Sequence, residues 1–306
     1  MARFLLERLL QAVIVVLGVT LIAFVIMHLS GDPVELMLPI GASVEQVEEV
    51  RAALGLDRPL PVQYVQWLGG VARLDFGRSL TFRTANLPLV LERVPVTATL
   101  AGLAVLVGLG IGAPLGVLAA RRPRSWVDYL CMFMALAGQA LPSFWLALML
   151  IILFSVTLGW LPAGGAQSPL HYVLPVAAMS VIPLARVARL VRGSMLDVLG
   201  EDYIRTAYGK GLAEPRVITK HALVNSVRPV LTDAAMLLGR LIGGAIVIES
   251  IFAWPGLGHL LVTGLSRRDY PLVQTIVLVM AVGFVGLNTI VDLLYGYLDP
   301  RVSRNA

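Results

Sequence analysis

From Leu9 to Leu29 the chain runs without a formal charge. As a helix rising 1.5 Å per residue this stretch is about 31 Å long, enough to cross the hydrocarbon of a bilayer. A cleaved signal peptide has a shorter apolar run and a small-x-small cleavage site, and Met27-His28-Leu29 offers none. The stretch therefore reads as a retained first span, entered from the cytoplasm behind Arg3 and Arg8. Five more apolar segments follow: Val96–Ala120, Tyr129–Leu158, His171–Leu190, Val230–Ile251 and Leu272–Leu298. Composition agrees. Charged residues make up 14% and hydrophobic residues 58%, whereas soluble domains carry about 25% charged residues. The expected class is an all-α membrane protein with six transmembrane helices.

Six spans leave both termini, the Arg121-Arg122-Arg124 turn and the 193–229 segment on the cytoplasmic side. The uncharged 159–171 loop and the long 30–95 loop then lie outside. Arg267 and Arg268, in the last outer loop, run against the positive-inside rule. The basic balance comes from arginine, since lysine occurs only at 210 and 220. In a soluble protein it would suggest nucleic acid. Here it reflects basic cytoplasmic loops. The expected parts are the N-terminal tail and first helix (1–29), an extracytoplasmic insert (30–95), a five-helix core (96–298) and a cytoplasmic tail (299–306).

Within the insert, Ser43 and Gln46 have capping-box spacing, and Gly55 closes the helix they open. Val44, Val47, Val50 and Leu54 form its apolar stripe. The rest is rich in Pro, Gly and aromatics and reads as a folded insert without chemistry of its own, or as a seat for an external partner. In the second span Ala104, Gly108, Gly112, Gly116 and Ala120 recur every fourth residue, so that another helix can approach closely. Pro114 is expected to kink this helix. The third span is interrupted at Gly138-Gln139-Ala140-Leu141-Pro142. Arg186, Arg189 and Arg192 fall at i, i+3 and i+6, broadly on one face of the fourth.

The longest polar interruption in the second half is Glu201–Thr232, which overlaps a 197–229 coupling region. Ile204, Ala207, Tyr208, Gly211 and Leu212 share one helical face, while Glu201, Asp202, Arg205 and Lys210 lie off it. Acids precede bases, as the helix dipole favours, and Gly211 is placed to end the helix. A short amphipathic helix between spans either lies on the bilayer or fits a groove on a soluble partner.

No phosphate-binding loop, HExxH motif or Cys/His cluster is present, and the single Cys131 excludes an intrachain disulfide. An intramembrane hydrolase would need paired acids or a Ser/His pair at membrane depth, and Asp233, Glu249 and Asp292 fall near helix ends instead. A transporter or channel subunit is the stronger class.

Within this frame RTAYGKG, from Arg205 to Gly211, is similar to the EAA loop of ABC-transporter permeases, with Ala207 and Gly211 matching. Arg205 and Thr206 depart from its first two letters, a departure usual in the dipeptide/oligopeptide/nickel branch. LSGDPVELML, LGLDRPLPVQYVQWL, LDFGRSL, IESIFAWPGLGHLLV, RDYPLVQ and VDLLYGYLDPRV resemble segments of that branch in the same order. The long first outer loop is similar to the first of its two permeases. The resemblance implies a type I importer permease fold with a cytoplasmic coupling helix, in the bacterial inner membrane. It further implies a second homologous permease, two ATP-binding subunits that hold the ATP and Mg, and an extracytoplasmic solute-binding protein. The chain itself would carry no cofactor and catalyse no reaction. Short peptides rank first as solute, with nickel or metal chelates and glutathione-like compounds as the alternative.

Three groups of residues are expected to act. Glu201, Asp202, Tyr203, Ile204, Arg205, Ala207, Tyr208, Lys210, Gly211 and Leu212 would couple to an ATPase, with Ile204, Ala207, Tyr208 and Leu212 entering its groove. Glu249, Phe252, Trp254, Pro255 and His259 would form an exposed wedge at the outer gate or against the binding protein, or a cap that merely packs. Arg240, Gln139, Asn288 and Gly243 are candidates for the translocation path. Arg240 sits about ten residues into the fifth span, where a charge costs at least about 2.5 kcal/mol and must meet protein or water. Two readings stay open for it: a salt bridge to Asp233 or Asp292, or a cation beside Gly239, Gly243 and Gly244 that favours a carboxylate-bearing solute over a bare divalent ion.

Overall fold

A computed structural model describes residues 2–29, 34, 38, 43–53 and 55–298. The segment after the first helix and the tail from 299 lie outside it, as do Leu54 and the side chains of Arg3, Arg8 and Asp292. The described residues form helices and no strand. In order they are α1 (Ala2–Leu29), α2 (Val44–Ala53), α3 (Leu60–Ala72), α4 (Asn86–Leu91), α5 (Val94–Arg121), α6 (Trp126–Ala140) and α7 (Ser143–Leu150). Then come α8 (Val173–Leu199), α9 (Asp202–Gly209), α10 (Arg228–Ile251), α11 (Leu257–Ser266) and α12 (Tyr270–Leu298). The chain divides into two compact units, one built from residues 1–96 with 255–289 and the other principally from 97–254.

Among the described residues three helical stretches are long and apolar enough to cross a membrane: Asn86–Arg121, Pro169–Leu199 and Tyr270–Val291. A fourth arises if the bent pair Trp126–Ala140 and Ser143–Thr157 counts as one span. Val13–Ile26 is a shorter apolar helix, and α10 has the length of a span but carries Asp233, Arg240 and Glu249. The interruption expected at 138–142 is a bend of 98°. There Leu141 and Pro142 adopt extended backbone, because the residue before a proline avoids the helical region. Beyond α7, residues Ile151–Thr157 continue in a wider helical winding, in which Leu158 N–H reaches the carbonyl of Leu153. The fourth span runs further than the apolar run suggests, to Leu199 rather than Leu190.

The small-residue stripe of α5 lies against α8. A Cβ added at Gly112 would stand 2.6 Å from the carbonyl oxygen of Leu184, and one at Gly116 the same distance from that of Ala188. The two backbones therefore touch directly, with Ala104, Gly108 and Ala120 completing the buried seam. Ala185 and Ala188 of α8 also pack with Ala135 of α6.

In the other unit the expected capping box is formed: Ser43 N–H donates to Gln46 Oε1 at 3.0 Å, and Gln46 N–H to Ser43 Oγ at 3.3 Å. The stripe of α2 is seated only in part, since Val44 is 74% exposed. The residues after Gly55, rich in Pro and aromatics, turn out helical as α3. It starts behind Pro59 and ends with Asp75 N–H on the carbonyl of Gly70 at 2.9 Å. Asp269 fastens the following loop. Its fully buried carboxylate accepts from Ser79 Oγ at 2.5 Å and Thr81 N–H at 2.9 Å, while capping α12 through Leu272 N–H. Val90, Leu257, Leu260, Leu272 and Ile276 form the apolar core beside it.

Replacing Gly112 with leucine must drive α5 and α8 apart against backbone, not a movable side chain. Overpacking of this kind costs about 1–3 kcal/mol or more, so the variant should lose several degrees of thermal midpoint in detergent. Gly110→Leu, at a position open on the same helix, serves as the control and should melt like the parent chain.

Candidate functional site

The short helix α9 carries the strongest functional expectation. It is amphipathic as expected, but its apolar face turns inward. Ile204 and Ala207 are 1% and 7% exposed and pack with Val191 and Met195 of α8 and with Val217, Ile218 and Ala222. They do not stand free to enter a partner's groove. The physical reason lies a few residues further on. Residues Val217–Ala222 form a second wide helical turn whose apolar side chains cover that face first. Leu212 is half-buried against the same cluster. What α9 presents outward is Asp202, Tyr203, Arg205, Tyr208 and Lys210, with the two tyrosines 42% and 44% exposed. Tyr203 Oη accepts from Asn225 Nδ2 at 3.0 Å, which fixes its ring.

Gly211 ends the helix as the sequence suggests. At φ +75° its N–H bonds the carbonyl of Tyr208, and Leu212 N–H bonds that of Ala207. This paired closure needs a left-handed residue, which glycine supplies without strain. Nothing lies within 4 Å of a Cβ added there, so the position is open outward.

A ladder of arginines on α8 braces this site. Arg186 holds Asp233 of α10 through two hydrogen bonds of 2.6 Å. Arg192 holds Asp128 of α6 through bonds of 2.6 and 2.7 Å. Between them, Arg189 Nη2 donates to Gln139 Oε1 at 2.5 Å. The i, i+3, i+6 spacing is visible in the sequence; the three partners, 47 to 64 residues away, are not. A planar guanidinium on a carboxylate is the strongest charge pairing side chains offer. Arg121 and Glu214, 3.0 Å apart but exposed, add a weaker tie between the end of α5 and the segment after α9.

These pairs change the expectations for Arg240. Asp233 is committed to Arg186 and is not its partner. Among the described residues Arg240 forms no ion pair, and its side chain is exposed. Met236, Gly243, Gly244 and Val247 share that exposed face of α10, and a Cβ at either glycine would meet nothing within 4 Å. Gln139, exposed, is held by Arg189, and Asn288 is half-buried in α12.

Of the two readings of the outer stretch, the cap that packs fits its burial better than the exposed wedge. Phe252, Trp254 and Glu249 are buried, not presented. The loop before α8 covers them. Gly165 N–H bonds the carbonyl of Phe252 at 2.8 Å, and Tyr172 meets the Trp254 ring edge-on, with centroids 4.4 Å apart. Glu249 accepts from Thr97 Oγ1 at 2.6 Å. Pro255 and His259, in the other unit, are half-buried. The aromatics of this stretch thus pack within the chain, because large rings on a tight turn bury more area against a neighbouring loop than against water.

Residues 112–304 match the family described as binding-protein-dependent transport system inner membrane component, and residues 1–101 match the one described as binding-protein-dependent transport system membrane component, N-terminal. The chain belongs to this family. It is a permease component of an importer, and its family is one of transport proteins, not enzymes. A provisionally named peptide transport system permease protein of Brucella suis is 43% identical over 99% of both chains. The oligopeptide transport system permease protein AppB of Bacillus subtilis is 40% identical over 99% of both. The solved inward-facing MetNI methionine ABC transporter shares the fold, with a TM-score of 0.57 over 70% of this chain and 97% of that one at 18% identity.

Asp128 is 3% exposed at its side chain, so removing its charge leaves Arg192 facing a neutral, half-buried site. Breaking one side of such a pair costs about 3–5 kcal/mol. Asp128→Leu should lower the thermal midpoint sharply, and the double change with Arg192→Leu should recover most of it.

Proposed function

We propose that this permease forms one half of the translocation path of an ATP-driven importer of short peptides. The single observation that carries the solute class is Arg240: an exposed cation at mid-span on α10, beside open space at Gly243 and Gly244. A charge in that position costs too much to face lipid, so it faces a watery path or a second permease. Fixed positive charge attracts the carboxylate of a peptide and repels a bare divalent metal ion. The names of the Brucella and Bacillus relatives point the same way.

The other partners follow from this reading. A second, homologous permease completes the path, and a solute-binding protein delivers the peptide from outside. Two ATP-binding subunits hold ATP and Mg and bind α9 on the cytoplasmic side, where both termini also lie. The docking surface is the outward set Tyr203, Arg205, Tyr208, Lys210 and Gly211, not the buried Ile204 and Ala207. Drawing the ATPases together displaces α9 and rocks the spans between inward-open and outward-open states.

Two experiments test this. Gly211→Glu places a charged side chain and a strained backbone on the docking surface. It should insert normally yet abolish peptide uptake while the assembled ATPases still turn over; normal uptake by this variant overturns the docking assignment. For the path, Arg240→Gln should cut peptide uptake about tenfold at equal protein level, the effect of about 1.4 kcal/mol, and Arg240→Glu should cut it further. Wild-type rates for both variants remove Arg240 from the path.

A further inference from the structure

In the unit built from residues 1–96 and 255–289, α1, α3, the 75–80 loop and the start of α12 line a half-open cavity of about 350 Å³. Pockets for small ligands begin at about 300 Å³. One wall continues an aromatic run: Phe24 meets Tyr64 edge-on at 5.3 Å, and Tyr64 stacks on Trp67 at 6.1 Å. Phe76 and Tyr270 add two more rings to the lining. The run is anchored at Tyr64, which hydrogen-bonds Thr20 at 2.9 Å and the carbonyl of Leu17 at 3.1 Å.

Two polar groups of the lining are unused. Gln274 is 6% exposed, and its amide makes no hydrogen bond with any described residue. The Trp67 Nε1–H is buried without a partner. Leaving the buried Trp67 donor unpaired costs about 1–3 kcal/mol, so the cavity suits a polar occupant. The inventory defines it. Trp67 offers one donor; Gln274 offers a donor pair and an acceptor. An amide group, with its carbonyl and N–H side by side, satisfies both. Among the described residues the one charged group of the lining is Asp75, an exposed carboxylate that suits an ammonium.

We infer that this cavity is a binding site for a short peptide, separate from the path at Arg240, which holds the peptide amide on Trp67 and Gln274 and its N-terminal ammonium at Asp75. The choice of a peptide among amides rests on the solute proposed above; the site itself rests on the cavity and its unused groups.

Calorimetric titration of the full chain in lipid nanodiscs, without other subunits, with the dipeptide Ala-Phe tests the assignment. Saturable one-to-one binding is expected, weakened about tenfold by Gln274→Leu and by Trp67→Phe. The latter keeps the stacked ring and removes only the donor, so it carries the test if Gln274→Leu does not fold. N-acetyl-Ala-Phe, which lacks the ammonium, should bind more weakly to the parent chain. Absence of saturable binding, as for a cavity that holds only water, overturns the site, and so does binding that Trp67→Phe leaves unchanged. Uptake of Ala-Phe by the assembled transporter, measured in parallel, separates the two proposals. Uptake without binding to the isolated chain defeats the cavity alone, whereas binding that Trp67→Phe weakens upholds the cavity even if no uptake occurs.

Discussion

Two guanidinium–carboxylate pairs between helices organise the unit that carries α9. Arg186 and Arg192 lie on one face of α8, and each grips an aspartate on a different helix. The pairs set the rotation of α8, since only one face can hold the charges. The opposite requirement sets its other side: α5 comes so close that only glycine and alanine fit between the backbones. Electrostatics on one face and close packing on the other leave α8 little freedom to turn or slide.

Much of this architecture is legible from the sequence because it is local or periodic. The four-residue spacing of small residues, the capping box at Ser43, the break before Pro142 and the stops at Gly55 and Gly211 all depend on residues close in the chain. Their physics is that of one helix or one turn. The arginine spacing on α8 is equally plain. Its partners are not, because a hydrogen bond between side chains dozens of residues apart leaves no period to read. Asp233 looks like a neighbour for Arg240 when only one helix is considered; α8 claims it.

The two misjudged surfaces share a cause. Periodicity identifies that α9 has an apolar face and that Phe252 and Trp254 cluster at a turn. It does not identify what covers them. In both cases the cover is the chain's own: the 217–222 turn over Ile204 and Ala207, and the 164–172 loop over Phe252 and Trp254. An apolar face in a sequence is a demand for burial, and intramolecular surface meets that demand before a partner arrives. The pairing of Asp269 with Ser79 and Thr81, about 190 residues earlier, is likewise not readable from either segment alone.

The seating of α9 has a mechanical consequence. Because Ile204 and Ala207 are bolted to the end of α8, a load applied at Tyr203 or Tyr208 cannot be absorbed by side chains yielding locally. It passes into α8 and from there, through the two ion pairs, into α6 and α10 together. Stiffness is concentrated in that trio. Compliance is left to the elements' ends, above all to the extended pair Leu141–Pro142, where two backbone residues carry a 98° change of direction.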